Sequence, residues 1–445
     1  MRGYCIDNIN VDASWSFDHL TKKETNYASH GYHKYPAKFI PQLVSRLLKR
    51  YSEEGDLILD PFGGCGTTLV EAKLNNRNSV SIDVNDSAIL ISSAKATAIN
   101  PIVLEENNKL LLERIARNND RNNYYKSANN RLQYWFKKKQ YNKLSRIYNE
   151  IQNEPNRNLK IFYNCCFSNI LKNCSKWYSK SIKPQQDPNK KDADPVSTFT
   201  EHLNYMTTRN AEYYNLLSKS KRTKSSVKKA DARRTGLSKN SVDLVITSPP
   251  YAISYEYADI HQLSLLWFGS VTNIADIRKD YVGTSSKKAI IERDKIVSPV
   301  GLKTIESLQK SNLGLANQMA NYIVDIDLTF REMYRVLKHN KRVCIIIGDT
   351  QYLGTNIPNT EISIELLKNT GFKIDKIIKR KISSKIFTPY RDSIGRFSNG
   401  KNGKRRAIYQ YEYIIVAQKL PLISPPKNIR SLAVHYAHKA ANRAS

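Results

Sequence analysis

Residues 57–72 read LILDPFGGCGTTLVEA: a short apolar run, a turn holding three glycines, then residues suited to open a helix. That is strand, loop, helix in one sweep. A second short strand at 79–83 follows at the distance expected of a βαβ unit, with a helical stretch over about 86–98. Strand-like runs resume later as LVITSPP (244–250), RVCIIIGD (342–349), FKIDKIIKRKI (372–382) and QYEYIIVAQK (410–419), with helical patterns between most of them, notably 313–337. This alternation predicts an α/β, doubly wound parallel sheet.

Between the second strand and LVITSPP the pattern breaks. Residues 101–229 carry long polar helical patterns rich in Asn, Tyr and Lys, and they read as a helical insertion in one α/β domain. The segment holds 26 Lys and Arg against 11 Asp and Glu, about half of the whole chain's excess charge of +31. The expected organisation is a first half over 1–100, the insertion over 101–229, a second half over 230–420 and a basic tail over 421–445.

The 445 residues allow two or three folded units at roughly 150 residues each. With 40% hydrophobic residues, 17 Gly and 16 Pro, the composition excludes a collagen-like or wholly disordered chain. A mean hydropathy of −0.55 gives a polar surface. So large a positive excess opposes compaction, and it points to a polyanionic partner, nucleic acid first and an acidic membrane surface second. No apolar run of about 18 residues occurs, and the N-terminus lacks a signal-peptide core, so a cytoplasmic protein is expected. The six cysteines lack zinc-module or disulfide-framework spacing and read as reduced, packed thiols; no metal site is expected.

The glycine turn is where chemistry is expected. Absence of side chains at Gly63, Gly64 and Gly66 lets a ligand approach the backbone closely. No Gly-Lys-Ser/Thr follows and the spacing is not GxGxxG, so a nucleotide-like ligand with less phosphate suits it. Asp83, ending the next strand, stands where ribose hydroxyls are accepted in such folds, although an isolated Asp there is more often a cap or turn residue. A second cluster, TSPPY (247–251), directly follows an apolar strand, and its paired prolines fix an extended turn. Such a turn can aim a carbonyl and a hydroxyl at a planar amino group while an aromatic ring stacks on its face.

Together DPFGGCGTT and TSPPY resemble motifs I and IV of the amino-group DNA methyltransferases, which use S-adenosylmethionine. SHGYHKYPAKFIPQLVSRLL (29–48) resembles the family's motif X, beside the cofactor's methionine end. The resemblance covers roughly 25–100 and 228–420, and it implies a Rossmann-like methyltransferase sheet. The implied cofactor residues are Asp60, Pro61, Phe62, Gly63, Gly64, Gly66, Thr67, Thr68, Asp83, Lys38 and Asp231, the last where the family contacts the cofactor's adenine amino group. The runs 257–269 and 277–283 resemble segments that follow the catalytic loop. The order X, I, insertion, IV places a target-recognition region between the two halves; many SPPY enzymes have a permuted order.

Ser248, Pro249, Pro250 and Tyr251 are the implied catalytic residues. The Ser248 hydroxyl and Pro249 carbonyl would accept hydrogen bonds from the target amine, whose lone pair is otherwise delocalised into the ring, and Tyr251 would stack on the flipped base. Ser in place of Asp resembles the cytosine-N4 enzymes, Asp being usual in adenine-N6 enzymes. The implied partners are double-stranded DNA and a cognate restriction endonuclease acting on the same site. Adenine-N6 methylation, RNA base methylation and a catalytically dead DNA-binding protein are the alternatives. No Pro-Cys pair supports a C5 mechanism, so Cys65 reads as packing. Trp267 and Phe268 read as core, His261 as a surface or capping group, and Tyr124, Tyr134 and Trp135 as either core or nucleic-acid contacts.

Overall fold

The computed structural model describes residues 6–36, 38–118, 121–253, 257–284, 295–352, 355–382, 390–391, 406–407 and 410–421. Its first long helix, α1 (Pro41–Tyr51), precedes β1 (Leu57–Asp60), α2 (Thr67–Leu74), β2 (Asn78–Asp83) and α3 (Asp86–Ala96). These form the βαβ unit read from the glycine turn. The remaining strands of the main sheet are β3 (Ser225–Lys229), β4 (Val242–Thr247), β5 (Leu337–Ile347), β6 (Phe372–Lys381) and β7 (Tyr411–Lys419). Their spatial order is β3-β2-β1-β4-β5-β7-β6. The first five are parallel, and β7 runs antiparallel between β5 and β6. This is the doubly wound α/β sheet.

Alternation along each strand divides the core in two. Ile58, Leu244, Cys344, Ile346 and Ile414 face α1 through Leu43, Val44 and Leu47. Leu59, Val245, Ile345 and Ile415 face the opposite layer, which includes α12 (Pro299–Gln309), α13 (Leu313–Val336) and α14 (Asn359–Thr370). Because both faces are covered, the strands read as near-continuous apolar runs rather than alternating ones. The chain leaves β1 toward β2 on one side and reaches β4 on the other, so the switch point of the sheet lies at the C-terminal ends of β1 and β4.

The insertion folds as α4 (Pro101–Arg117), α5 (Asn130–Trp135), α6 (Lys138–Gln152), α7 (Arg157–Cys174) and α8 (Pro195–Ser218). Asn100, Asn129, Asn156 and Asp194 cap four of these helices by accepting backbone N–H bonds, which explains part of the asparagine richness. Its core is aromatic: Trp135 stacks on Trp177 at 5.0 Å, and Phe136 meets Trp267 edge-on at 5.3 Å. That cluster is continuous with Ile91 and Ala94 of α3 and with Leu263 and Leu266 of α10 (Gln262–Trp267), which follows α9 (Tyr257–Ile260). The insertion is therefore built onto the sheet, on the side where the TSPPY turn emerges.

Residues 225–229, read as the end of the insertion, instead pair in register with β2 as the outer strand of the sheet. Their SSVKK sequence is half-exposed at the edge and carries no apolar signal. The tail beyond 421 and most of the loop 383–406 lie outside the described residues. Among the described residues no helix is long and apolar enough to cross a membrane, no cluster of ligating side chains could hold a metal ion, and Cys65, Cys165, Cys166, Cys174 and Cys344 are free and buried.

Candidate active site

The glycine turn closes on itself and on β2. Gly66 N–H donates to Gly63 O at 2.8 Å, and Gly63 N–H to Ile82 O at 2.8 Å. A Cβ on Gly63 would stand 1.8 Å from Ser81 Oγ and 3.3 Å from Ile82 N, so glycine lets the turn lie close against β2. Gly66 adopts φ +77° at the start of α2, the left-handed region that glycine enters freely. Asp83 receives the turn: its carboxylate accepts Gly64 N–H at 3.0 Å and Asn85 N–H at 2.9 Å. Burial pushes this carboxyl up to about 6, against the backbone donors that hold it down. A carboxylate offers about four lone-pair sites, so these two bonds leave capacity for further donors.

Asp60 has another task. Its oxygens accept Thr247 Oγ1 at 2.6 Å, Thr68 Oγ1 at 2.8 Å and Phe62 N–H at 3.2 Å. It thus ties β1 to β4 and to α2, and burial, the dominant influence, raises its carboxyl to about 6. Thr68 is buried and serves this tie.

Above the turn opens a cleft at the switch point. Its walls include Asp60, Pro61, Phe62, Gly63, Gly64, Thr67, Asp83, Asp231, Lys38, Ser248 and Pro250. The turn after β1 and the turn after β4, distant in sequence, therefore meet in one space. Gly66, Thr68, Pro249 and Tyr251 are not on those walls. Tyr251 packs partly buried into the sheet's core, a Cβ on Gly348 would stand 3.4 Å from its ring, and burial drives its phenol well above the usual range.

Two charged residues border the cleft in definite settings. Lys38 donates to Asn26 Oδ1 at 2.8 Å and His30 O at 3.0 Å, and burial brings its ammonium down to about 8. Asp231 is gripped by Arg233, whose Nε lies 2.9 Å from Oδ1 and whose Nη2 lies 2.6 Å from Oδ2. Arg233 reaches on to Asp325 of α13 at 2.5 Å. Asp231 is thus positioned by an ion pair that the sequence did not disclose.

Aromatic residues missed at the sequence level complete the walls: Tyr35, Tyr257 and Tyr281. All three fall in runs already set apart, 29–48, 257–269 and 277–283, and that was the available signal. His261, expected as a surface or capping group, stands at the N-cap position of α10 without a side-chain cap bond; it is buried and stacks on Tyr35 at 4.8 Å, and burial pushes its imidazole down to about 4. It is a neutral packing group. Trp267 and Phe268 pack among aromatic rings as expected of core residues.

A family model described as DNA methylase (N6/N4 methyltransferases) matches residues 4–95 and 242–439. The unmatched interval contains the insertion, β3 and Asp231. The chain is similar to the Type II methyltransferase M.MvaI of Kocuria varians, 25% identical over 394 residues, covering 81% of this chain and 86% of that protein. It is also similar to the Type II methyltransferase M.BsoBI of Geobacillus stearothermophilus, 23% identical over 419 residues, covering 79% and 80%. Among solved structures, a SAM-dependent methyltransferase from Methanosarcina mazei aligns over 87% of this chain and 99% of its own at 10% identity, with a TM-score of 0.30.

Proposed function

The chain belongs to the N6/N4 family of DNA methylases, and from that premise we propose that it methylates cytosine N4 in double-stranded DNA at a defined sequence, as the protective half of a restriction-modification pair. One observation carries the reading: Ser248 and the glycine turn with Asp83 border the same cleft. A donor of the group and an amine that receives it need such a shared space.

The cleft fits S-adenosylmethionine. Gly64 keeps the floor open, since a Cβ there would stand 3.3 Å from the Tyr35 ring on the wall; Asp83 has acceptor capacity for ribose hydroxyls, and Lys38 lines the cleft, suited to the methionine carboxylate. Asp231, held by Arg233, supports the adenine side. When bound, S-adenosylmethionine supplies an electrophilic methyl group next to the TSPPY turn.

The chain's own residues prepare the acceptor. The Ser248 hydroxyl, on the cleft wall, accepts an N–H bond from the amine and helps localise its lone pair, with no covalent enzyme intermediate, whereas Pro249 is buried off the wall. Tyr257, on the cleft wall, gives an aromatic face to the extruded base, while Tyr251, packed into the core behind the turn, supports the TSPPY turn instead of stacking. Flipping demands a few kcal/mol, and stacking returns about 1–3 kcal/mol per base, so contacts from the basic insertion supply the remainder. A neutral hydroxyl at position 248, rather than a carboxylate, favours cytosine N4 over adenine N6.

The test is to incubate the protein with S-adenosylmethionine and mixed-sequence duplex DNA, digest to nucleosides and identify the product by mass spectrometry. N4-methylcytosine is expected. N6-methyladenine would keep the chemistry but overturn the base assignment, and absence of any methylated nucleoside would overturn the DNA reading.

A further inference from the structure

Where the insertion meets the segment after the TSPPY turn, a second groove runs between α5 and the helices α9, α10 and α11 (Ile274–Arg278). It adjoins the cleft, since Tyr257 lines the cleft and Asp259, on the same turn of α9, lines the groove. At its rim stands Arg131. Its Nε donates to Gln262 Oε1 at 3.0 Å, and its guanidinium lies 5.0 Å from the centre of the Tyr134 ring and 5.6 Å from that of Trp135. Gln262 is itself fixed: it is buried, accepts Trp135 Nε1 at 2.9 Å and donates to Asp259 O at 2.9 Å.

The guanidinium is therefore anchored at one nitrogen and laid across aromatic faces. Its two Nη groups make no hydrogen bond or ion pair among the described residues. Tyr134 remains 48% exposed beneath it, with Lys176 Nζ 5.6 Å from the ring. Arginine held in this way loses little freedom when its fork engages a planar pair of acceptors. The groove's other guanidinium, Arg278, is neutralised by Asp259 at 2.5 Å. Among the residues lining the groove, Arg131 is thus the one uncompensated cation, a fork set among amides and an open ring with Lys176 outside on that ring, an arrangement suited to base reading.

We infer that Arg131, braced by Gln262, Tyr134 and Trp135, is a sequence-reading residue whose fork recognises a guanine edge next to the base that enters the cleft. This rests on the DNA-methylating reading above. Arginine pairs with guanine O6 and N7 through two parallel donors, which lysine does not reproduce.

The experiment methylates mixed-sequence duplex DNA with the full chain and with its Arg131→Ala and Arg131→Lys variants, and maps modified sites by sequencing. Both variants are expected to lose about ten- to hundredfold in kcat/KM at the target and to stop discriminating one guanine position, with S-adenosylmethionine affinity and melting temperature unchanged. Tyr134→Ala, an exposed substitution, is expected to relax the same position more weakly. Wild-type behaviour of both arginine variants overturns the inference. So does a loss uniform over all sequences with the salt slope reduced by about one, which marks a phosphate anchor. Wild-type protein that methylates no duplex DNA overturns the parent reading, and this one with it.

Discussion

The sheet and the insertion reach stability by different means. The sheet buries aliphatic residues on two faces, and its neighbouring strands come from far apart in the chain. The insertion buries Trp135, Phe136, Phe167 and Trp177 in a mostly local cluster, while many of its cations stay outside and a few, such as Lys190 and Arg209, are half-buried at its edge. Lys137, Lys138 and Lys139 directly follow two buried aromatic residues and are all exposed. High positive charge in this segment is thus a property of its surface, and large rings allow a cation-dense sequence to fold. Composition marked the insertion as the candidate polyanion-facing region but said nothing of how it is held.

The strongest test of that contrast is Trp135→Ala. Removing a fully buried indole that stacks on Trp177 and bonds Gln262 is expected to destabilise the protein by about 3–5 kcal/mol. Because the aromatic core runs into α3 and α10, thermal unfolding should remain a single transition at a lower temperature. A separate early melt of the insertion would break the claim of continuity.

A smaller effect is expected from pH. The Asp83 carboxyl sits at about 6, raised from 3.8 chiefly by burial. An acceptor role needs the ionised form, so S-adenosylmethionine affinity should fall as pH drops through 6, approaching tenfold per unit. Asp83→Asn should bind weakly and remove that dependence; a wild-type affinity flat from pH 7 to 5 would refute the assignment. Stability moves the other way. Both Asp60 and Asp83 bind protons more tightly folded than unfolded, so their contribution improves as pH falls from about 6 toward 4.

The mildest change is Lys138→Ser with Lys139→Ser. Neither lysine forms an ion pair among the described residues, so stability should shift by less than about 0.5 kcal/mol. If both meet phosphates, the slope of log affinity for DNA against log salt should drop by about 1.8. An unchanged slope would move the backbone contacts elsewhere on the insertion.

What could be read from sequence follows the same division. The strands around the switch point were legible because double burial writes them as apolar runs, and the turns because glycine and proline leave few backbone choices. The edge strand β3 was not, since SSVKK has polar faces and is held by backbone pairing with β2 and by polar contacts such as Ser225 with Ser79 and Lys229 with Asp86. Cleft residues such as Tyr35 and Tyr281 were hidden because an aromatic on a wall looks like one in a core. The burial of His261 at the start of α10 was hidden because its stacking partner, Tyr35, is more than two hundred residues away. The role of Asp60 was half visible: its motif marked it, but only the structure shows Thr247 as its partner.

The pairing of Leu59 with Val245, secured by that Asp60–Thr247 bond, has a bearing on how such a chain can change. Bringing β4 to β1 closes a loop far longer than an ordinary βαβ crossover of roughly 30 residues. Yet closure entropy grows only logarithmically, so the penalty over the short crossover is roughly 1.5 kcal/mol, and doubling the loop again would add about 0.6 kcal/mol. The helices hung between β2 and β3 can therefore be exchanged or enlarged almost without strain on the sheet. Replacing the intervening helices would leave in place the buried Asp60 carboxylate that keeps the two halves of the cleft in register.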